Sequence, residues 1–231
     1  MNFTYNFISS IEIKSYDYFI KNKSIPIFYY PVFILKGFFS LIESLIRNIS
    51  GPFGLIIRRF YYKLIFKNMG KDVLIDVGVI FNGAHNINCK NKIWFDSYSI
   101  VNSPYKEVKI GNNVHIGHHC YLGGRERIIL DDFTALAASS KIFSGSIKIP
   151  PKNKLIPNPM IHYNNSKKFS KYGKVIIKKN AVILANSIVG PDTIMEKGSI
   201  LLPNSVLNKD TKSFSIYSGN PAKKVGMRSE N

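Results

Sequence analysis

The chain has 231 residues, of which 45% are hydrophobic, a length and composition typical of a folded globular protein rather than a disordered one. Its formal net charge of +18 favours an anionic partner such as a phosphate-rich cofactor, an acidic glycan or anionic lipid, although an AT-rich genome also produces a chain rich in Lys, Ile and Asn. The sequence contains no RNP, KH or zinc-finger pattern, so no nucleic-acid partner is expected.

Residues 1–70 are predicted to form a helical N-terminal region. Residues 25–46 are strongly apolar, but residues that a bilayer-spanning helix tolerates poorly interrupt them: Pro26, Pro31, Lys36, Gly37 and Glu43. The next segment, GPFGLIIRRFYYKLIFK (residues 51–67), has Pro52 near a helix start and mixes cationic with apolar residues. Two interpretations stay open: residues 25–67 contact an anionic membrane surface, or their helices only cover the end of the main domain.

The expected location is the cytoplasm, at the inner face of the membrane if the helical region binds lipid. The first eight residues lack the basic segment and the small-residue cleavage site of a secretory signal. Cys89 and Cys120 are too few for a disulfide framework and lack the CxxC spacing of structural zinc sites. We expect both to be buried, small apolar residues in a reducing compartment.

A six-residue period replaces the helical period from about residue 71 to residue 218. Large residues recur at six-residue steps: Ile75, Phe81, Ile87 and Ile93; Ile110, Ile116 and Leu122; Leu130, Leu136 and Ile142; and Ile177, Ile183, Val189, Met195, Leu201 and Leu207. Smaller residues recur two places before the last series: Val175, Ala181, Ser187, Thr193, Ser199 and Ser205. A short fixed period indicates a solenoid in which each repeat buries its apolar residue against its neighbours. The pattern predicts a mainly β protein, a left-handed parallel β-helix with triangular coils of about eighteen residues.

Residues 143–174 break the repeat and are expected to leave the coil as a projecting loop. This segment is rich in Pro, Lys and Asn and contains His162. A long excursion from a rigid solenoid often carries binding residues, and the alternative is a disordered surface insert. Residues 219–231 are expected to form a basic C-terminal tail.

The repeats resemble the hexapeptide-repeat acyltransferases over roughly residues 51–228. The ending SIYSGNPAKKVGMR (215–228) is similar to the phrase that closes many sugar O-acetyltransferases, and residues 175–210 are similar to the last two coils of that family. The segment GPFGLIIRRFYYK resembles the helical lead-in of surface-polysaccharide acetyltransferases. The resemblance implies a homotrimer with active sites between neighbouring subunits, acetyl-CoA as co-substrate and a histidine as general base. It favours O-acetylation of a surface polysaccharide or its precursor, with N-acetylation of a nucleotide-linked amino sugar as the alternative.

The resemblance leaves the position of the base open. Many members place a histidine at the start of the excursion, where this chain has Ile147 and Lys148, and others have one where Asn180 stands. A branch that acetylates amino groups has the phrase H-D/E-C-x-I/L-G, and HHCYLG (118–123) is similar to it. That match implies His118 or His119 as the base, with His115 as a third candidate and His162 behind it. Histidine suits this task because it accepts protons near neutral pH.

The resemblance also implies which residues hold CoA. Lys223, Lys224 and Arg228 are expected to contact its phosphates, and Ala185, Asn186, Pro203 and Asn204 to follow it along the last coils. No metal is expected, because the spacing of His85, His115, His118 and His119 differs from that of the β-helix carbonic anhydrases. A non-enzymatic scaffold is a further alternative.

Overall fold

A computed structural model describes residues 27–148 and 170–229 of the chain. A short 3-10 helix, Ile27–Tyr29, leads into two α-helices, Tyr30–Asn48 and Gly51–Ile65. Short strands follow, numbered β1 to β22 in chain order, and most of them lie in three parallel sheets that form the sides of a solenoid.

The first sheet contains β1 (Asn68–Met69), β4 (Ile87–Cys89), β7 (Val108–Ile110), β10 (Ile128–Leu130), β15 (Val175–Ile177) and β18 (Thr193–Met195). The second contains β2 (Val73–Ile75), β5 (Ile93–Phe95), β8 (Val114–Ile116), β11 (Ala135–Leu136), β16 (Val182–Ile183), β19 (Ile200–Leu201), β21 (Ser215–Gly219) and β22 (Ala222–Met227). The third contains β3 (Ile80–Asn82), β6 (Ile100–Asn102), β9 (Tyr121–Gly123), β12 (Lys141–Phe143), β17 (Ile188–Val189) and β20 (Val206–Leu207). The chain visits the three sheets in turn for about six turns, which confirms the parallel β-solenoid, whereas its left-handed winding stays a prediction.

The core is a set of side-chain columns inside the solenoid. All members of the two predicted columns between residues 175 and 207 are buried, the large residues and the small residues alike. Cys120 lies in a column of small residues with Ser99, Ser140, Ser187 and Ser205, and backbone hydrogen bonds connect the coils there. Both cysteines are free and buried, as the sequence predicts.

The coils are longer at the start of the solenoid than the predicted eighteen residues. Ile93 pairs with Val73, twenty residues earlier, and Val114 pairs with Ile93, twenty-one residues earlier, whereas Ile200 pairs with Val182 at a distance of eighteen residues. The early coils carry extra residues at the corner between the third and first sheets, such as the 3-10 helix Ala84–Asn86. As a result Ile87 pairs with Val108, whose column holds the smaller residues in the later coils. The predicted series Ile75, Phe81 and Ile87 therefore moves from the large-residue columns to a small-residue column at Ile87.

The second helix covers the N-terminal end of the solenoid. Gly54, Arg58 and Tyr62 are its buried residues, and the Tyr62 ring contacts those of Phe66 and Phe81. The Arg58 side chain is fully buried, and burial lowers the pKa of its guanidinium, partly offset by Asp76. Its Nε donates to the Ile75 carbonyl at 2.9 Å, and its Nη1 donates to the Ile49 carbonyl at 2.6 Å. Arg58 therefore joins the end of the first helix to the first coil.

Two antiparallel strand pairs depart from the parallel solenoid. Strands β13 (Gly145–Ile147) and β14 (Ser170–Tyr172) pair where the repeat is interrupted. Residues 149–169, with His162, lie outside the described residues. At the C-terminus β21 pairs with β22, so residues 222–227, expected in a basic tail, form a strand on the second sheet.

Candidate functional site

One edge of the solenoid, between the second and third sheets, collects most of the predicted site residues. We call it the histidine edge, and it consists of the two-residue turns 77–78, 97–98, 118–119, 138–139, 185–186 and 203–204. Backbone hydrogen bonds of 2.8–3.2 Å join each turn to the next. The second residue of every turn has a positive φ, which fixes the direction of the side chains along the edge. The fold thus places His118 and His119 in line with Ala185, Asn186, Pro203 and Asn204.

Asp96 is a buried carboxylate that contacts two of the three candidate histidines. Its Oδ1 lies 3.0 Å from Nδ1 of His118, and its Oδ2 lies 3.3 Å from Nε2 of His115. The backbone N–H of Ser97 donates to the same Oδ1 at 3.0 Å. The Asp96 side chain is 5% exposed and that of His118 is 54% exposed, so a buried acceptor holds a ring that faces solvent.

Nδ1 of His118 has two oxygen neighbours. The Ser97 hydroxyl forms a hydrogen bond with it at 2.7 Å, and the Asp96 carboxylate lies 3.0 Å away. A hydroxyl can donate or accept, so the hydrogen bond with Ser97 is compatible with either tautomer of the ring. In the tautomer with the proton on Nδ1, which the adjacent carboxylate favours, Nε2 carries the lone pair and can take a proton from a nucleophile, as general-base catalysis requires.

His115 and His119 have different surroundings from His118. His115 lies on β8, and its ring stacks on that of Trp94 with centroids 4.8 Å apart. The His119 ring stacks on that of Tyr98 with centroids 5.5 Å apart and an angle of 12° between the planes. Among the predicted candidates in the described chain, His118 combines the shortest carboxylate contact with an exposed ring. The catalytic role of all three stays a prediction.

Asp96, Ser97 and Trp94 are the neighbours that the sequence interpretation missed. The six-residue period suggests coils of eighteen residues, whereas the coil before the histidines has twenty-one. Counting back twenty-one residues from His118 leads to Ser97, beside Asp96, and the same step from His115 leads to Trp94. The pairing of β5 with β8 confirms this register, with Trp94 opposite His115.

The basic residues predicted to bind CoA do not all lie together. Lys223 and Lys224 are exposed on β22, opposite Ser218 and Tyr217. The Gly219 N–H at the start of this hairpin donates to Oγ of Ser205, beside the histidine edge. Arg228 instead donates to the Gly198 carbonyl at 3.3 Å, at the opposite edge of the second sheet. Its predicted contact with CoA therefore requires a site on that other edge.

Two further expectations concern the excursion and a metal. Ile147, at the position where the resemblance implies a histidine in other family members, is half exposed on β13. Within residues 27–148 and 170–229, no group of three or more His, Cys, Asp or Glu side chains is placed to hold a metal ion.

Gly78→Ala is expected to destabilise the protein at the N-terminal end of the histidine edge. Gly78 has a φ of 75°, and a Cβ there would overlap the Tyr98 ring, on which His119 stacks. The positive φ alone costs about 1–2 kcal/mol for a residue with a side chain. Thermal unfolding measures the change, and Gly37→Ala is the control, because Gly37 is helical with open space around it and should be neutral or stabilising. A Gly78 variant with an unchanged melting temperature would contradict this packing.

Comparisons with known proteins identify the class to which this fold belongs. No protein-family model and no curated protein matches the chain. Among solved structures, AntD, an N-acyltransferase from Bacillus cereus crystallised with dTDP and 3-hydroxybutyryl-CoA, is 25% identical with a TM-score of 0.66 over 79% of this chain and 91% of that protein. An AntD variant with dTDP-4-amino-4,6-dideoxyglucose and coenzyme A is 26% identical with a TM-score of 0.65, over 75% of this chain and 89% of the variant.

A hexapeptide-repeat acetyltransferase from Vibrio cholerae O1 biovar eltor, complexed with acetyl-CoA, is also similar. It is 12% identical with a TM-score of 0.52, over 80% of this chain and 84% of that protein, a likeness of fold alone. The fold of this chain is thus similar to that of AntD and of the hexapeptide-repeat acetyltransferase. The resemblance to enzymes crystallised with CoA compounds, at 25–26% identity, indicates an acyltransferase.

Proposed function

We propose that the protein transfers an acyl group from acyl-CoA to the amino group of a nucleotide-linked amino sugar, with His118 as the general base. The observation that carries the proposal is the Asp96–His118 pair, in which a buried carboxylate lies 3.0 Å from Nδ1 of an exposed ring. The similarity to AntD supports the choice of an amine acceptor, since AntD is an N-acyltransferase crystallised with an amino-sugar nucleotide. The phrase HHCYLG (118–123) supports the same choice.

The proposed reaction needs one proton acceptor beside the thioester. The sugar nitrogen attacks the thioester carbonyl, the new C–N bond forms, and the C–S bond breaks as CoA leaves as a thiolate. His118 Nε2 takes the proton that the nitrogen loses, and it can then pass that proton to the thiolate. Asp96 holds the ring through Nδ1 and stabilises the imidazolium that forms, while Ser97 limits rotation of the ring.

Transfer to a sugar hydroxyl is the second candidate. The closing phrase at residues 215–228, which forms the hairpin of β21 and β22, resembles that of sugar O-acetyltransferases. A hydroxyl needs a base even more than an amine does, so the same Asp96–His118 pair would serve. The acceptor decides between the candidates, because an N-acyl product is an amide and an O-acyl product is an ester.

We further propose that the active unit is a homotrimer. The histidine edge is convex and open, with His118, His119 and Tyr98 exposed to solvent. A site that binds a small molecule normally encloses most of the ligand surface, and one convex edge does not do this. A second copy beside the edge would supply the other wall of a cleft, as the resemblance implies.

The proposed compartment is the cytoplasm. The two cysteines of the chain are free, and burial raises the pKa of the Cys120 thiol to about 11, so it stays protonated and unreactive at neutral pH. Free thiols and the expected acyl-CoA donor both fit a reducing compartment.

The experiment measures CoA thiol release and the acylated product by mass spectrometry. The purified chain is incubated with acetyl-CoA or 3-hydroxybutyryl-CoA and either dTDP-4-amino-4,6-dideoxyglucose or the matching nucleotide sugar that has a hydroxyl in place of the amine. We expect turnover of the amine and a product that survives mild alkali. An alkali-labile product from the hydroxyl acceptor would favour the second candidate. CoA release no faster than background with both acceptor classes would contradict the proposal.

A further inference from the structure

The first helix shows its apolar face to the outside rather than to the protein. No residue of Tyr30–Asn48 is buried in the described structure. Ile34, Phe38, Leu41 and Leu45 are spaced four, three and four residues apart, which puts them on one side of the helix, and each is more than half exposed. The ordinary arrangement of a globular protein, with the apolar side inward, is reversed here.

The polar residues of this helix lie on the opposite side, toward the second helix. By the helical period Lys36, Glu43 and Arg47 fall about half a turn from the apolar stripe. Glu43 accepts a hydrogen bond of 3.2 Å from the Tyr62 hydroxyl, and the Arg47 carbonyl accepts one of 2.9 Å from the Gly78 N–H. The side that carries the charges is therefore the side attached to the protein.

The second helix repeats this arrangement. Gly54, Arg58 and Tyr62 form its buried side. Its opposite side consists of apolar residues that are all more than half exposed: Phe53, Ile56, Phe60 and Leu64. By the helical period Arg59 and Lys63 lie along one margin of this stripe. We call the exposed apolar residues of both helices, Ile34, Phe38, Leu41, Leu45, Phe53, Ile56, Phe60 and Leu64, the apolar face.

We propose that the apolar face inserts into one leaflet of an anionic membrane, which makes the protein a peripheral enzyme of the lipid surface. Exposed apolar side chains in this number mark an interaction site, and interfacial helices combine such side chains with neighbouring Lys and Arg. The cationic side chains beside the apolar face are Arg59 and Lys63, which are both exposed, and the one acidic side chain of residues 27–67, Glu43, is hydrogen-bonded to Tyr62. An anionic headgroup layer complements the exposed cations.

The charges also argue against two other arrangements of the helices. The segment Ile27–Asn48 is long and apolar enough to cross a membrane, but lipid would then surround Lys36 and Glu43, at high free-energy cost. Packing of the apolar face on a second copy of the chain would bring the cationic margins of both copies together, each with Arg59 and Lys63, and like charges oppose such a contact. A single anionic leaflet satisfies both the apolar stripes and the charges.

Membrane insertion would place the histidine edge close to the lipid surface. The Arg47 carbonyl, near the end of the first helix, is bonded to Gly78, the first turn of that edge. His118 lies two coils further along, or about 10 Å at the usual spacing of strands. The orientation would suit an acceptor that is made or used at the membrane.

Vesicle flotation with the full chain tests the insertion. We expect the protein to float with vesicles of phosphatidylcholine and phosphatidylglycerol, and much less with phosphatidylcholine alone or in high salt. The double variants Phe38→Asn/Leu45→Asn and Phe53→Asn/Phe60→Asn should each bind at least about tenfold more weakly. Arg59→Gln and Lys63→Gln should each weaken binding to the anionic vesicles about fivefold, the equivalent of ~1 kcal/mol per charge.

Controls separate this proposal from the alternatives. Val225→Asn/Met227→Asn removes two exposed apolar side chains from β22, far from the helices in sequence, and should float like the wild type. Each variant is compared with the wild type by circular dichroism and thermal unfolding, so that misfolding is recognised. No flotation, or unchanged flotation of the Asn variants of the apolar face, would overturn the proposal. Resistance of the bound protein to alkaline carbonate extraction would indicate a spanning helix and would also overturn the proposal. The proposal would be overturned as well if the Asn variants of the apolar face dissociated an oligomer without any effect on vesicle binding. None of these outcomes depends on acyl transfer.

Discussion

Replacement of His118 by Gln is expected to lower kcat for acyl transfer by about 10²–10⁴-fold, the usual contribution of a general base. His118 is exposed, and its Nδ1 is held by Asp96 and Ser97, so the substitution removes the proton acceptor with little effect on packing. The equivalent changes of His119 and His115 should cost much less, because the His119 ring stacks on Tyr98 and Nε2 of His115 is itself hydrogen-bonded to Asp96. Steady-state kinetics with the acceptor that the protein turns over measures the order. A larger loss at His119 than at His118 would contradict the assignment.

Asp96→Asn is expected to lower kcat while leaving the KM for acyl-CoA nearly unchanged. The amide loses the negative charge that stabilises the imidazolium, and it can present an N–H where Nδ1 needs an acceptor. Asp76→Asn is the matched control, since Asp76 occupies the same corner position one coil earlier and its Oδ1 accepts the Val77 N–H at 2.6 Å. If Asp76→Asn and Asp96→Asn have equal kinetics, Asp96 is only a structural residue of the turn.

Arg58→Met is expected to destabilise the N-terminal end of the protein by about 3–5 kcal/mol, since hydrogen bonds of a charged donor to four carbonyls are lost at once. In addition to Ile75 and Ile49, Nη1 lies 3.3 Å and 3.4 Å from the carbonyl oxygens of Ile46 and Arg47. The last carbonyls of a helix have no partner within it, so Arg58 supplies the donors that the first helix lacks. Removal of a buried charge recovers some desolvation free energy, but the carbonyls left without donors outweigh it.

Thermal unfolding and hydrogen exchange together measure this effect. The melting temperature should fall, and amides of residues 43–50 should exchange faster than those of the late coils. Arg59→Met is the matched control, because Arg59 is the next residue of the same helix and is exposed, so its loss should change stability by less than about 0.5 kcal/mol. An Arg58 variant as stable as the Arg59 variant would show that the buried guanidinium contributes little.

The sequence by itself determined the solenoid, because a repeat can bury its apolar residue only by stacking on the next coil. The columns from Val175 to Leu207 and the place of Cys120 among small residues follow from this constraint, and the burial of these residues confirms it. Because Leu122 belongs to the series of large buried residues, the same period puts His118 and His119, which precede it by four and three residues, outside the core. The free, buried cysteines were also predictable, since their number and spacing left no other common role.

The length of each coil was not predictable from the period, and that length decides which residues meet in the site. The corner between the third and first sheets accepts extra residues without disturbing the columns, so coils of eighteen and twenty-one residues share one apolar pattern. Only pairing of β5 with β8 brings Asp96 and Ser97 beside His118. Likewise, residues 222–227 were predicted to lie in a basic tail because they continue no apolar column. Pairing with β21 makes them a strand at the edge of the second sheet, where no apolar column is needed.

In the N-terminal helices, too, the sequence determined one property and the tertiary structure another. Their apolar composition is visible in the sequence, but composition does not reveal which side of a helix faces the protein. The contacts of Arg58 and Tyr62 decide it, since they fix the polar sides inward and leave Phe38, Leu45 and Phe60 exposed. Local periodicity thus determined the core and the outward position of the histidines, whereas contacts between residues distant in the sequence decided the partner of His118 and the orientation of the helices.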